Sequence, residues 1–140
     1  MPPDTRSEAE RALDQHLHLI ASDIERWLDL FADDAVVEFP YAAALGRPGR
    51  FVGKPAIAAY FRTTPATFRG LVFTDLRKHP GADPRVAVAE VHGAATIAPT
   101  GRRYEQDYVM IVHTRDGQIS HYREYWDPTP AIAAFAEVAS

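Results

Sequence analysis

In the first third of the chain, apolar residues return every three or four positions. Ser7 and Glu10 have the spacing of a capping box, and Leu13, Leu17 and Ile20 follow them, which predicts a first helix. Ser22 with Glu25 repeats the signal and predicts a second helix carrying Ile24, Trp27, Leu28 and Phe31. Asp33-Asp34 interrupts that pattern, and residues 35–39 form a short β-branched run that stops at Pro40. Residues 42–53 hold Gly46, Pro48, Gly49 and Gly53 and read as a loop. Pro55 suits the first turn of a third helix with Ile57, Tyr60 and Phe61 on one side.

The second half reads as strand. Four runs, roughly 71–79, 85–98, 102–114 and 118–126, are divided by Pro80-Gly81-Ala82-Asp83-Pro84, Pro99-Thr100-Gly101 and Asp116-Gly117. Links this short join antiparallel neighbours, so the runs form a meander. Thr129-Pro130 begins a last short helix through Ile132 and Phe135. The order predicts an α+β domain with helices on one face of a curved sheet.

A two-residue turn at Asp116-Gly117 sets Arg115 opposite Gln118. Ile111 then faces Tyr122, Val109 faces Glu124 and Asp107 faces Trp126, and these six share one side of the sheet. The other side holds Tyr104, Gln106, Tyr108, Met110 and Val112 with His121, Arg123 and Tyr125. The helices can cover only one side. A homodimer packed through Tyr104, Tyr108, Met110 and Tyr125 is therefore expected.

Composition narrows the class. The chain has 140 residues, 46% of them hydrophobic, with a net charge of -4. One domain spanning 1–140 is expected at this length. The acidic balance gives no reason to hold nucleic acid or an anionic membrane. No apolar run reaches the ~20 residues of a membrane span. Met1-Pro2-Pro3-Asp4 lacks the features of a signal peptide, and there is no cysteine, so a cytoplasmic location without disulfides is expected.

On the side assigned to the helices, Glu124 stands out among Val109, Ile111, Tyr122 and Trp126. Desolvation raises a carboxyl's pKa and readies it for proton transfer near neutrality. The competing reading is a structural pair with an arginine, or a carboxylate at a wet sheet edge. Other positions leave two readings open. His92 lies beside Val109 in the cavity if the Pro99-Thr100-Gly101 loop sets a register summing near 201, but one residue of slip turns it outward with Glu90. His16 shares the face of Leu13, as a satisfied core histidine or a cavity group. Asp107 lines the cavity or is solvated. Tyr41 stands at the cavity mouth or caps the core. The six histidines have no metal-ligand spacing, and no phosphate cradle or Gly-x-Ser-x-Gly elbow occurs.

The segment Arg123-Glu124-Tyr125-Trp126-Asp127-Pro128 after Asp116-Gly117-Gln118-Ile119 resembles the SnoaL-like polyketide cyclases and phenazine biosynthesis A/B proteins. These belong to the nuclear-transport-factor-2-like, or ketosteroid-isomerase-like, superfamily. Residues 27–38, Gly53-Lys54-Pro55-Ala56-Ile57 and Thr100-Gly101-Arg102-Arg103-Tyr104 are similar to further parts of that pattern. The resemblance implies a cone whose helices and curved sheet enclose an apolar cavity, with Glu124 at the cavity acid of the phenazine-type proteins. It also implies departures. The general-base Asp of ketosteroid isomerases falls on Phe39, their oxyanion-hole Asp on Val109, and their helix-one Tyr near Gln15 or His16. The epoxide-hydrolase branch places its middle-strand pair at Val91 and Gly93.

The expected activity is cofactor-independent acid–base chemistry, of isomerase, cyclase or related type, on a hydrophobic carbonyl-bearing metabolite. Glu124 is the acid/base, with Tyr122 donating a hydrogen bond and His92 assisting. Trp126, Phe39 and Phe61 are apolar walls, joined by Asp107, Val109, Ile111, Tyr41 and His16. The alternative is a non-catalytic binding or accessory module using the same pocket, and a third reading is a scaffold whose cavity is filled.

Overall fold

Ser7 Oγ accepts the Glu10 amide at 3.1 Å and the Glu10 carboxylate accepts the Ser7 amide at 3.4 Å, so the expected capping box opens α1, Glu8–Leu19. The computed structural model describes residues 3–136, and the extreme ends of the expected domain, with Met1 and Pro2, lie outside the described residues. The second helix, α2 (Ile24–Leu28), is shorter than its pattern suggested. Asp23 caps it, accepting from the Arg26 amide at 3.2 Å, while Ser22 donates back to the His18 carbonyl at 2.6 Å. Phe31 is not in that helix. It begins β1 (Phe31–Glu38), which takes in Asp33-Asp34 at an irregularity in its pairing.

The expected 42–53 loop contains a 3-10 turn, Ala42–Leu45, and an edge strand, β2 (Arg50–Val52). Helix α3 (Lys54–Phe61) has Pro55 in its first turn as read, and a four-residue α4 (Thr64–Thr67) follows. The meander is β3 (Phe68–Pro80), β4 (Val86–Ile97), β5 (Arg102–Arg115) and β6 (Gln118–Trp126), and α5 (Pro128–Phe135) comes last. The sheet order is β2-β1-β6-β5-β4-β3, with β1 parallel to β6 and every other pair antiparallel. Trp27, Phe31, Leu13 and Tyr122 are wholly buried where the helices meet this sheet. No described helix is long and apolar enough to cross a membrane.

The β5–β6 hairpin turns at Asp116 (φ 53°) and Gly117 (φ 81°), and Arg115 pairs with Gln118 as expected. One step on, the register slips. Thr114 pairs with Ile119 but His113 pairs with His121, leaving Ser120 as an extra residue that donates to the His113 carbonyl at 3.2 Å. Beyond this bulge Val112 faces Tyr122, Met110 faces Glu124 and Tyr108 faces Trp126. Side chains alternate, so one added residue exchanges the faces of β5. The residues that join Glu124 are Tyr104, Tyr108, Met110 and Val112 rather than Asp107, Val109 and Ile111.

The dimer expected through Tyr104, Tyr108 and Met110 is therefore overturned as drawn, because those three are buried within one chain. Only Tyr125 of that set lies outside, edge-on to Tyr41 at 5.7 Å between centroids. In β4, Glu90 pairs with Val109 and His92 with Asp107. His92 thus lies on the outer side, and Val91 and Gly93 take the inner one.

Candidate active-site cavity

Helices α1, α3 and α5 and the inner face of the sheet surround a cavity with an open mouth. Phe39 and Phe61 form one wall, with ring centroids 5.8 Å apart. Tyr104, Tyr108 and Met110 of β5 form the floor, and Ala131 and Phe135 of α5 close one end. Phe73 belongs to the wall as well, and Gly93 makes its packing possible. A Cβ there would meet Tyr108 Cε2 at 2.8 Å and Phe73 at 3.4 Å.

Glu124 and Trp126, two residues apart on β6, both border the cavity. Tyr122 precedes them on the same face, wholly buried, and its hydroxyl donates to Glu124 Oε1 at 2.6 Å. The Glu124 carboxyl meets the cavity space but is otherwise enclosed by protein. Burial pushes it up to about 7, against the opposing pull of the Tyr122 hydroxyl bonded to it and the Trp126 indole nearby. The same burial raises Tyr122 and Tyr108 well above the ordinary phenol, so both stay protonated donors. The group can therefore both take and give a proton near neutral pH.

His16 of α1 also lines the cavity, 4.7 Å from the Tyr122 ring. Its Nδ1 accepts the Trp27 indole hydrogen at 2.8 Å. Burial drives its pKa down to about 3, so the ring is neutral. Its Nε2 is buried with no partner among the described residues. The expectation of a satisfied core histidine holds for one nitrogen only. Below the floor, Gln106 donates to the Asp127 carbonyl at 2.6 Å and to the Tyr104 hydroxyl at 3.1 Å, tying β5 to the start of α5.

Other candidates lie elsewhere. His92 bridges Asp107 (2.8 Å) and Glu105 (3.1 Å) on the outer face, and those two carboxylates raise its pKa. It is too far round the sheet to assist Glu124. Asp107 pairs with it, and Val109 and Ile111 share that outer face, so none of the three lines the cavity. Tyr41 is half exposed against Tyr125 and outside the wall. Among the described residues no group of three His, Cys, Asp or Glu side chains is placed to hold a metal ion.

The sequence reading missed Tyr104, Tyr108 and Met110 as cavity groups because it set them on the opposite side. It also missed Phe73, Phe135 and Arg47, which stacks on the Phe135 ring at 4.4 Å from its centroid. Their signal was weak, since edge-strand and terminal aromatics are as often ordinary core.

Residues 9–122 match the family described as the SnoaL-like domain. The chain belongs to the SnoaL-like family. An uncharacterized PhzA/B-like protein of Pseudomonas aeruginosa is 37% identical over 131 residues, 93% of this chain and 92% of that one. The Delta 5-3-ketosteroid isomerase from Mycobacterium sp. is 30% identical with a TM-score of 0.76, over 89% of this chain and 96% of that one. A Mycobacterium tuberculosis protein in complex with estradiol-17beta-hemisuccinate is 28% identical with a TM-score of 0.76, over 87% of this chain and 95% of that one. The α+β architecture agrees with these neighbours.

Within this SnoaL-like chain, two positions where the resemblance set the isomerase acids are apolar and differently placed. Phe39 is buried in the cavity wall and Val109 is on the outer face. Of the two positions matched to the helix-one Tyr, Gln15 is exposed and His16 faces the cavity.

Proposed function

We propose that this SnoaL-like protein is a cofactor-independent enzyme that moves a proton on a hydrophobic, carbonyl-bearing small molecule, in an isomerisation or a ring closure. Glu124 is the acid/base. As carboxylate it takes a proton from a carbon next to the carbonyl, and as acid it returns that proton to another carbon or to oxygen. Tyr122 holds the carboxyl in place, and Trp126, Phe39 and Phe61 enclose the apolar body and exclude water. The observation that supports this most is a half-buried carboxyl on the wall of an apolar cavity, bonded to the Tyr122 hydroxyl.

The chemistry can be tested before the natural substrate is known. 2-Tetralone is a hydrophobic ketone whose α-hydrogens exchange with D2O. The protein is expected to accelerate that exchange over buffer, and Glu124→Gln to abolish the acceleration while affinity for 2-tetralone stays within about tenfold. No acceleration by the wild type, or equal acceleration by the variant, contradicts the proposal. The first result would favour a binding or accessory module, a reading also favoured by Phe39 and Val109 at the two isomerase positions.

The homodimer is proposed on the outer face instead. Val109 is 37% exposed there on a sheet side that no helix among the described residues covers. That side carries Glu105, Asp107 and Arg123 as well, and a two-fold related copy would present the same charges to it.

A further inference from the structure

We infer that His16 is the cavity's fixed hydrogen-bond donor for a ligand oxygen, and that Trp27 is the positioning residue that keeps it so. The inference rests on the cavity reading above and deepens it by naming the group the ligand must present. Trp27 Nε1 is a donor only, so its 2.8 Å bond to His16 Nδ1 requires Nδ1 to be the unprotonated nitrogen. The single ring proton of neutral imidazole must then sit on Nε2. Nδ1 and Nε2 diverge across the ring, so Nε2–H points away from Trp27.

That Nε2 is buried and no atom of the described residues receives its hydrogen. A buried donor without an acceptor is costly and seldom kept in a protein interior. His16 borders the same cavity as Glu124, and its ring lies 4.7 Å from that of Tyr122, whose hydroxyl holds Glu124. The missing acceptor is therefore the ligand's own.

The chemistry of the wall limits what the ligand can be. His16 in this tautomer gives a hydrogen and cannot take one, so an ammonium group finds no partner there. A carbonyl, enol or phenol oxygen does. The rest of the wall is mainly apolar, with Phe39, Phe61 and Met110. The ligand class is a hydrophobic molecule with an oxygen acceptor that meets His16 while an adjoining carbon or hydroxyl faces Glu124. The bond to His16 strengthens as charge develops on that oxygen, so it assists proton removal by Glu124 without itself titrating.

The test uses the intact protein, 15N-labelled at histidine, with 2-naphthol and 2-methylnaphthalene as probes. They share a body and differ by a hydroxyl or a methyl. His16 is expected to show an unprotonated Nδ1 and a protonated Nε2 from pH 8 to pH 5. Its Nε2 proton is expected to move downfield with 2-naphthol and to stay in place with 2-methylnaphthalene. 2-Naphthol is expected to bind roughly tenfold more tightly, about the effect of one buried hydrogen bond. His16→Phe is expected to remove that preference, and Trp27→Phe to mix the tautomers and weaken it, with 2-methylnaphthalene affinity kept in both. An Nδ1–H tautomer in the wild type, or a 2-naphthol preference that survives His16→Phe, overturns the inference. Either result leaves the Glu124 chemistry standing, because the 2-tetralone exchange reads that separately. If neither probe binds, the cavity reading fails and this inference with it.

Discussion

Glu124 and His16 are two buried titratable groups on one cavity, and they carry opposite consequences for stability. Glu124 has its folded pKa raised from 4.5 to about 7, so folding favours its protonated form. Its contribution is most favourable below pH 4.5 and is lost as pH rises through 7. The loss amounts to at most about 3 kcal/mol. His16 has its folded pKa lowered from 6.5 to about 3. Its contribution is fully present above pH 6.5 and is lost as pH falls toward 3, about 2 kcal/mol of it by pH 5. Between pH 4.5 and 6.5 the two slopes oppose and nearly cancel. Glu124→Gln is expected to match the wild type in denaturant unfolding at pH 4.5 and to exceed it by up to about 3 kcal/mol at pH 8.5. Equal stability at both pH values contradicts the assignment of a buried, proton-holding Glu124. This residue was legible in the sequence because Tyr122, Glu124 and Trp126 alternate along one strand, and alternation within a strand needs no knowledge of its partner.

The partners across β5 were not legible, and one residue accounts for that. The turn at Asp116-Gly117 announces itself by its residue types, whereas the bulge at Ser120 has no glycine to mark it. Asp107, Val109 and Ile111, placed by counting across the hairpin, therefore fell on the wrong face, and of the two placements open for His92 the outward one holds. Elements bounded by caps and turns came out well: α1, α3 and the four meander strands stand close to where their patterns put them. Those set by long-range pairing did not, as with β2, which exists because β1 offers it an edge. At this scale Gly93→Ala is the informative change. The methyl group has 2.8 Å to Tyr108 and 3.4 Å to Phe73, so the ring of Tyr108 must move into the cavity. A loss of about 1–3 kcal/mol in denaturant unfolding, with weaker binding of 2-naphthol, is expected from such overpacking. Unchanged stability would show that Tyr108 does not lie across β4.

For the whole molecule, the cavity side of the sheet is closed by helices and the outer side is not. The sequence reading placed a second cover on the side of Tyr104, Tyr108 and Met110, which the chain's own helices occupy. At 15.6 kDa per chain, sedimentation is expected to give twice that mass at micromolar concentration, and Val109→Arg to shift it toward the monomer. A wild-type monomer contradicts the outer-face dimer and leaves the cavity untouched. The protonation of the cavity acid can be read in the ligand-free protein by 13C NMR titration of the Glu124 side-chain carboxyl. A midpoint near 7 is expected, and a midpoint near the ordinary 4.5 rules out Glu124 as an acid/base working near neutral pH.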